Sequence, residues 1–136
     1  MNDSAPTTIK LRTVSRVLDV AFADGARFEL PFEYLRVYSP SAAVRGHGPG
    51  QETLQLGKHE VRIRSVEAVG HYAVRLVFDD GHDTGIYTWK YLHELGATRA
   101  EKWQHYLDRL AKLGIPYPTP VKATPLKATP ATPRRP

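Results

Sequence analysis

Six histidines, His47, His59, His71, His82, His93 and His105, are the side chains of this 136-residue sequence best suited to acid–base or metal chemistry. An imidazole titrates near neutral pH and is the commonest protein metal ligand. Their spacing fits neither a helical HExxH zinc site nor a His-x-Asp facial triad. Cysteine is absent, which removes disulfides, thiolate nucleophiles, iron–sulfur ligation and every cysteine-based zinc site. Two stretches hold what chemistry is left. "SPSAAVRGHGPGQ", residues 39–51, has the glycine content of a phosphate loop but lacks its lysine and Ser/Thr. "DDGHDTGIYTW", residues 79–89, sets His82 among acids, which raise an imidazole pKa and would suit a ligand or a base. The same residues also read as a turn, with Asp80-Gly81 reversing the chain and His82 and Asp83 bonded to backbone. A third arrangement needs the glycine run to fold back, so that His47 joins His82 and Asp83 around a metal or in a small enzymatic site. Gly46, Gly48 and Gly50 leave that loop compliant, so the spacing does not fix such a geometry.

The elements that must position these residues are legible from periodicity. "TIKLRTV" alternates Ile9 and Leu11 against Lys10 and Arg12, the period of a half-buried strand. "VLDVAF" and "RFEL" flank Asp24-Gly25, a hairpin signal, and Pro31 ends the second strand. "FEYLRVYS" spaces Phe32, Leu35 and Val37 for a short helical turn and then an extended piece. Val61 and Ile63, then Tyr72, Val74, Leu76 and Phe78, alternate as strands of an antiparallel meander, with Gly70 and "DDG" at its turns. A short helix is expected at "TWKYLHELG", and a longer one follows a Thr98/Glu101 capping box. Trp103, Tyr106, Leu107, Leu110 and Leu113 form the longer helix's apolar stripe, and Gly114 and Pro116 stop it. Late helices covering a small antiparallel sheet define an α+β fold.

Charge and composition narrow the function classes. The net charge of +5 is concentrated at the end: residues 115–136 hold Lys122, Lys127, Arg134 and Arg135 and no acid, leaving 15 basic against 14 acidic residues elsewhere. A near-neutral folded part argues against a nucleic-acid face, so any such contact would run through the basic tail and be salt-sensitive and sequence-blind. That tail has seven prolines in 22 residues and repeats "KATP" at 122–125 and 127–130, which excludes a packed core. The expected organisation is a disordered start over 1–7, one domain over 8–114 and a Pro-rich basic disordered tail over 115–136. No apolar run approaches the roughly 18 residues of a membrane span, and the first residues do not read as a signal peptide. The expected location is the cytoplasm.

Taken together, "FDDGHDTGIYTWKYL", "LRVYSPSAAVRGHGPGQ" and the "EKWQHYLDRL" helix resemble the gamma-butyrobetaine-hydroxylase-like N-terminal domain, long catalogued as a domain of unknown function. The resemblance covers roughly residues 8–114. In fused members of that family the domain precedes a 2-oxoglutarate- and Fe(II)-dependent oxygenase core, and in others it is attached to P-loop carriers of Fe–S clusters. Many bacterial members stand alone. In the hydroxylases a Cys-x-Cys-x-x-Cys run and the histidine of an Asp-Gly-His turn hold zinc. Laid on that pattern, the cysteine positions fall on Ser39, Ser41 and Val44, and the histidine on His82. Hydroxyls are poor zinc ligands beside thiolates and valine cannot ligate, so the resemblance implies a vestigial site, with no metal and no cofactor.

Too few residues follow the domain for an oxygenase core, so no enzymatic activity is expected. The resemblance implies a non-catalytic interaction module of the stand-alone bacterial type. Its partner would be another protein, either hydroxylase-like or engaged in Fe–S handling. Tyr87 and Trp89 are potential binding anchors if they stand on the wet face of the sheet, and ordinary core if they do not.

Overall fold

The computed structural model describes residues 5–45 and 54–118. Strands β1 (Pro6–Arg12), β2 (Val17–Phe22) and β3 (Arg27–Pro31) form one antiparallel sheet in the order β1-β2-β3. Helices α1 (Phe32–Val37) and α2 (Ala42–Arg45) follow. A second antiparallel sheet has the order β4 (Ile63–Val69), β5 (Ala73–Phe78), β6 (Ile86–Thr88), and α3 (Trp89–Ala97) and α4 (Arg99–Lys112) close the fold. The architecture is α+β, as the patterning predicts. The expected meander is the second sheet, β4-β5-β6, and β1-β2-β3 forms a sheet of its own ahead of α1 and α2.

The core lies between the sheets and under the helices. Leu18, Val20 and Leu30 from the first sheet meet Ile63, Val74, Leu76 and Phe78 from the second, with Phe32, Leu35, Leu92 and Leu95 from α1 and α3. Each such side chain contributes about 1.5–3 kcal/mol on full burial. Val37, Tyr106 and Leu110 form a smaller core beneath α4, against which Ile115 packs. Buried tyrosines tie elements together: Tyr34 donates to Leu95 O and Tyr87 to Leu35 O, both near helix ends, and Tyr106 to Gln55 O in the segment before β4, each at 2.6 Å. A phenol that buries its ring and satisfies an orphan carbonyl does both tasks with one side chain.

Three local expectations are corrected. Tyr72 is 55 % exposed, because the chain reverses around Gly70 and the strand starts only at Ala73. The Thr98 side chain makes no N-cap bond to α4; its hydroxyl donates to Glu94 O at 2.7 Å, because Thr98 is also the C-cap of α3. Leu113 lies beyond the last turn of α4 and is 64 % exposed. The chain after Gly114 also stays on the domain for a few residues: Tyr117 packs edge-on to Trp103 and donates to Glu33 Oε1 at 2.6 Å.

Candidate functional site

The segment 38–45 and the turn 79–85 meet along one polar seam. On the first side α1 ends at Tyr38, and Ser39 Oγ accepts the Ser41 amide at 3.2 Å. The Ser41 hydroxyl then accepts the Ala43 amide at 3.2 Å, the local bonding by which serine opens a helix such as α2. On the second side Asp80 Oδ1 accepts the His82 amide at 3.1 Å, and Gly81 takes a φ of 92° that a side chain would resist. The two sides are joined by hydroxyls. Ser39 Oγ and His82 Nε2 share a hydrogen bond at 2.8 Å, and Ser41 Oγ and Thr84 Oγ1 share one at 2.6 Å. Gly85 lies so close that a Cβ there would stand 2.5 Å from Ser39 Oγ.

The flank of the seam is charged. Asp80 accepts from Arg36 Nε at 2.9 Å and from Lys58 Nζ at 2.7 Å. Burial pushes the Asp80 carboxyl up, but Lys58, the His82 amide and Arg36 outweigh it and hold the group at about 2. His82 moves the other way from the sequence expectation. Burial and the nearby Arg36 lower its pKa, outweighing the acids Asp80 and Asp83. The ring is therefore favoured neutral, free to accept the Ser39 hydroxyl proton.

A neutral imidazole bonded to a serine hydroxyl has the contact distance of a nucleophile–base pair. Access decides against that use. Ser39 is 1 % exposed, and its hydroxyl is enclosed by Gly85, His82 and the Ser41 amide. A nucleophile must be reachable by the atom it attacks.

Ser39, Ser41 and His82 therefore come together, and Val44 is buried behind them. The donor set does not fit zinc: two hydroxyls already paired to other groups, an isopropyl group and one imidazole stand where tetrahedral sites use thiolates and imidazoles. Asp83 is exposed and faces Arg75 Nη1 at 3.7 Å. His47 and the glycine run lie outside the described residues. Among the described residues no group of three or more His, Asp or Glu side chains is placed to hold a metal ion. Tyr87 is fully buried core and offers a partner no surface. Trp89 is partly buried, with Nε1 donating to His71 O at 2.7 Å. Among the described residues no helix is long and apolar enough to cross a membrane.

Sequence reasoning placed Asp80 at the turn but missed Arg36, Lys58 and Thr84 as members of the seam. Arg36 had a usable signal, since it lies among Tyr34, Leu35 and Val37 on a short helix that is buried almost all round. A buried arginine requires a carboxylate partner.

The seam belongs to a small α+β domain, with Ser39 and Ser41 buried and Asp80 and Thr84 exposed at its rim. Residues 9–93 match the family described as gamma-butyrobetaine hydroxylase-like, N-terminal, and the chain belongs to that family. Among solved structures it is similar to a protein of unknown function of the DUF971 family from Acidithiobacillus ferrooxidans ATCC 23270. That match has 42% sequence identity and a TM-score of 0.60, and covers 71% of this chain and 98% of that one. Two proteins solved by NMR in solution are also similar. One is 41% identical with a TM-score of 0.73, covering 90% of this chain and 96% of its own. The other is 43% identical with a TM-score of 0.73, covering 93% of each chain. No curated protein matches the chain.

Proposed function

We propose that this chain is a non-catalytic protein-interaction module whose former zinc positions are occupied by a hydrogen-bonded polar plug. The observation that carries the reading is the Ser39–His82 contact at 2.8 Å with Ser39 at 1 % exposure. It ties the turn histidine into the structure and keeps the Ser39 hydroxyl out of reach of a metal or a substrate. The partner class, a hydroxylase-like or Fe–S-handling protein, follows from family membership and rests on analogy. The test has two arms on the full chain. Elemental analysis with thermal melts in zinc and in chelator should find no bound metal and an unmoved melt; stoichiometric metal with a chelator-sensitive melt overturns the plug. Site-specific photo-crosslinking in cells should capture a defined protein partner, retained when His82→Ala is introduced. A chain that crosslinks to nothing, or whose His82→Ala variant loses a measurable turnover, overturns the module.

A further inference from the structure

The outer edge of β3 carries the means to receive another strand. Pairing parity can be read from the two ends of the β2–β3 ladder. Phe22 N–H donates to Ala26 O at 2.8 Å, and Phe32 N–H donates to Arg16 O at 2.9 Å. With Ala21 opposite Arg27 and Val17 opposite Pro31, both are therefore wide, non-hydrogen-bonded pairs, and so is Asp19–Glu29 between them. Phe28 and Leu30 bond to β2, while the amides and carbonyls of Arg27 and Glu29 point away from the sheet. β3 is an end strand, and among the described residues no backbone partner meets those outward groups. Pro31 stands at the next outward position, where a residue without an N–H costs the ladder nothing.

One outward group is already engaged, and the engagement indicates the partner. Arg99 Nη1, at the start of α4, donates to Glu29 O at 2.9 Å. This holds a guanidinium on the strand edge, and among the described residues no carboxylate lies within ion-pair distance of it. A groove of about 400 Å³ runs there, lined by Arg27, Phe28, Glu29, Leu30, Gly96 and Arg99. Its inner wall is firm, because Phe28 seats against Gly96 and stacks edge-on with Phe22 and His93.

We propose that the β3 edge binds an extended acidic segment of a partner protein, which adds to the first sheet as a fourth strand. Its main chain exchanges hydrogen bonds with Arg27 and Glu29, and one of its carboxylates pairs with Arg99. Strand addition takes its affinity from the backbone and its selectivity from alternate side chains, and the uncompensated guanidinium selects for acid. The inference rests on the reading of the chain as an interaction module and names the face it uses.

The test is an amide NMR titration of the full chain with an N-acetylated, C-amidated Glu-Val-Glu-Val-Glu peptide, and with its lysine counterpart. The glutamate peptide should shift the Arg27 and Glu29 amides most and slow their hydrogen exchange, and the lysine peptide should bind at least tenfold more weakly. Arg99→Glu, a surface change, should weaken the glutamate peptide by about tenfold, the size of one lost charge-assisted bond. Glu29→Pro removes an outward N–H without touching the ladder, and should abolish binding in a chain whose melt shows it still folded. No binding at millimolar peptide, equal binding of both peptides, shifts centred elsewhere, or a concentration-dependent dimer that pairs β3 with a second copy would each overturn the assignment. Crosslinks to a partner through another surface would overturn the β3 site while leaving the module reading standing; the absence of any partner would overturn both.

Discussion

The plug makes a quantitative demand on Ser39 and His82. Ser39→Ala deletes a hydroxyl that bonds His82 Nε2 at 2.8 Å and accepts the Ser41 amide at 3.2 Å. Stranding buried partners costs about 1–3 kcal/mol, and the half-buried His82 ring can recruit water, so about 1–2 kcal/mol is expected. His82→Ala also loses the ring's tilted packing on Phe78 and should cost about 2 kcal/mol. If the two groups act as a pair, the double variant should lose about 1 kcal/mol less than the sum of the singles. The pH dependence gives an independent check with a definite sign. The folded pKa of His82 is depressed, so the unfolded chain binds the proton more readily. Stability from the neutral ring is full above the unfolded value of about 6.5 and is lost as pH falls from there through the lower folded value. Urea unfolding of the four proteins at pH 7.5 and 5.5 measures both effects. The parent should lose more stability between these pH values than His82→Ala. Single costs that add to within about 0.3 kcal/mol, together with parallel pH slopes, would refute the plug.

Other perturbations probe the fold and the family relationship. Ser39→Cys, Ser41→Cys and Val44→Cys combined should restore a thiolate–imidazole set with His82 and bind one zinc per chain by elemental analysis; no uptake would show that the loop no longer has the required geometry. Gly96→Ala would drive a Cβ into the Phe28 ring, which Phe22 and His93 hold in place. Overpacking of about 1–3 kcal/mol should outweigh the helix gain of about 0.5–1 kcal/mol, and Phe28→Leu in the same chain should relieve it in a thermal melt. Tyr87→Phe strands Leu35 O, to which the phenol donates at 2.6 Å, and should lower stability by about 1–2 kcal/mol in urea titration. Asp19, whose largest influence is the Arg27 hydrogen bond, is held at about 2, so its contribution is full above the unfolded carboxylate range and lost as pH falls through about 2. Acid unfolding of Asp19→Asn should lack that part of the transition.

The fold class, the hairpin at Asp24-Gly25 and the two late helices could be read from the sequence because periodicity reports which face of an element is buried. The errors fall where one residue answers to two elements. Thr98 reads as an N-cap from its spacing to Glu101, but it also ends α3, and its hydroxyl goes back to Glu94. Tyr72 continues an alternating pattern into a turn. His82 shows a different limit. Local sequence puts acids beside it and suggests a raised pKa, whereas its depressed pKa comes from burial and from Arg36, which is distant in sequence. Pairwise charge in sequence is no guide when desolvation sets the sign. The Ser39–His82 and Ser41–Thr84 bonds, each spanning 43 residues, have no local signature at all.

Those two bonds also explain how the domain could keep its shape without a metal. A zinc ion joining a loop to a distant turn closes a long segment of chain, and its loss exposes the fold to the entropy of that closure. Here two hydroxyl contacts bridge the same loop and turn, while Arg36 and Lys58 converge on Asp80 at the turn's base. Each net bond contributes about 0.5–1.5 kcal/mol, more where a charge takes part. Together these contacts can hold the turn, and they occupy His82 Nε2 and the Ser39 and Ser41 hydroxyls. The seam therefore works as a closure. The β3 edge lies on the outer surface, where Arg99 has no carboxylate within ion-pair distance among the described residues.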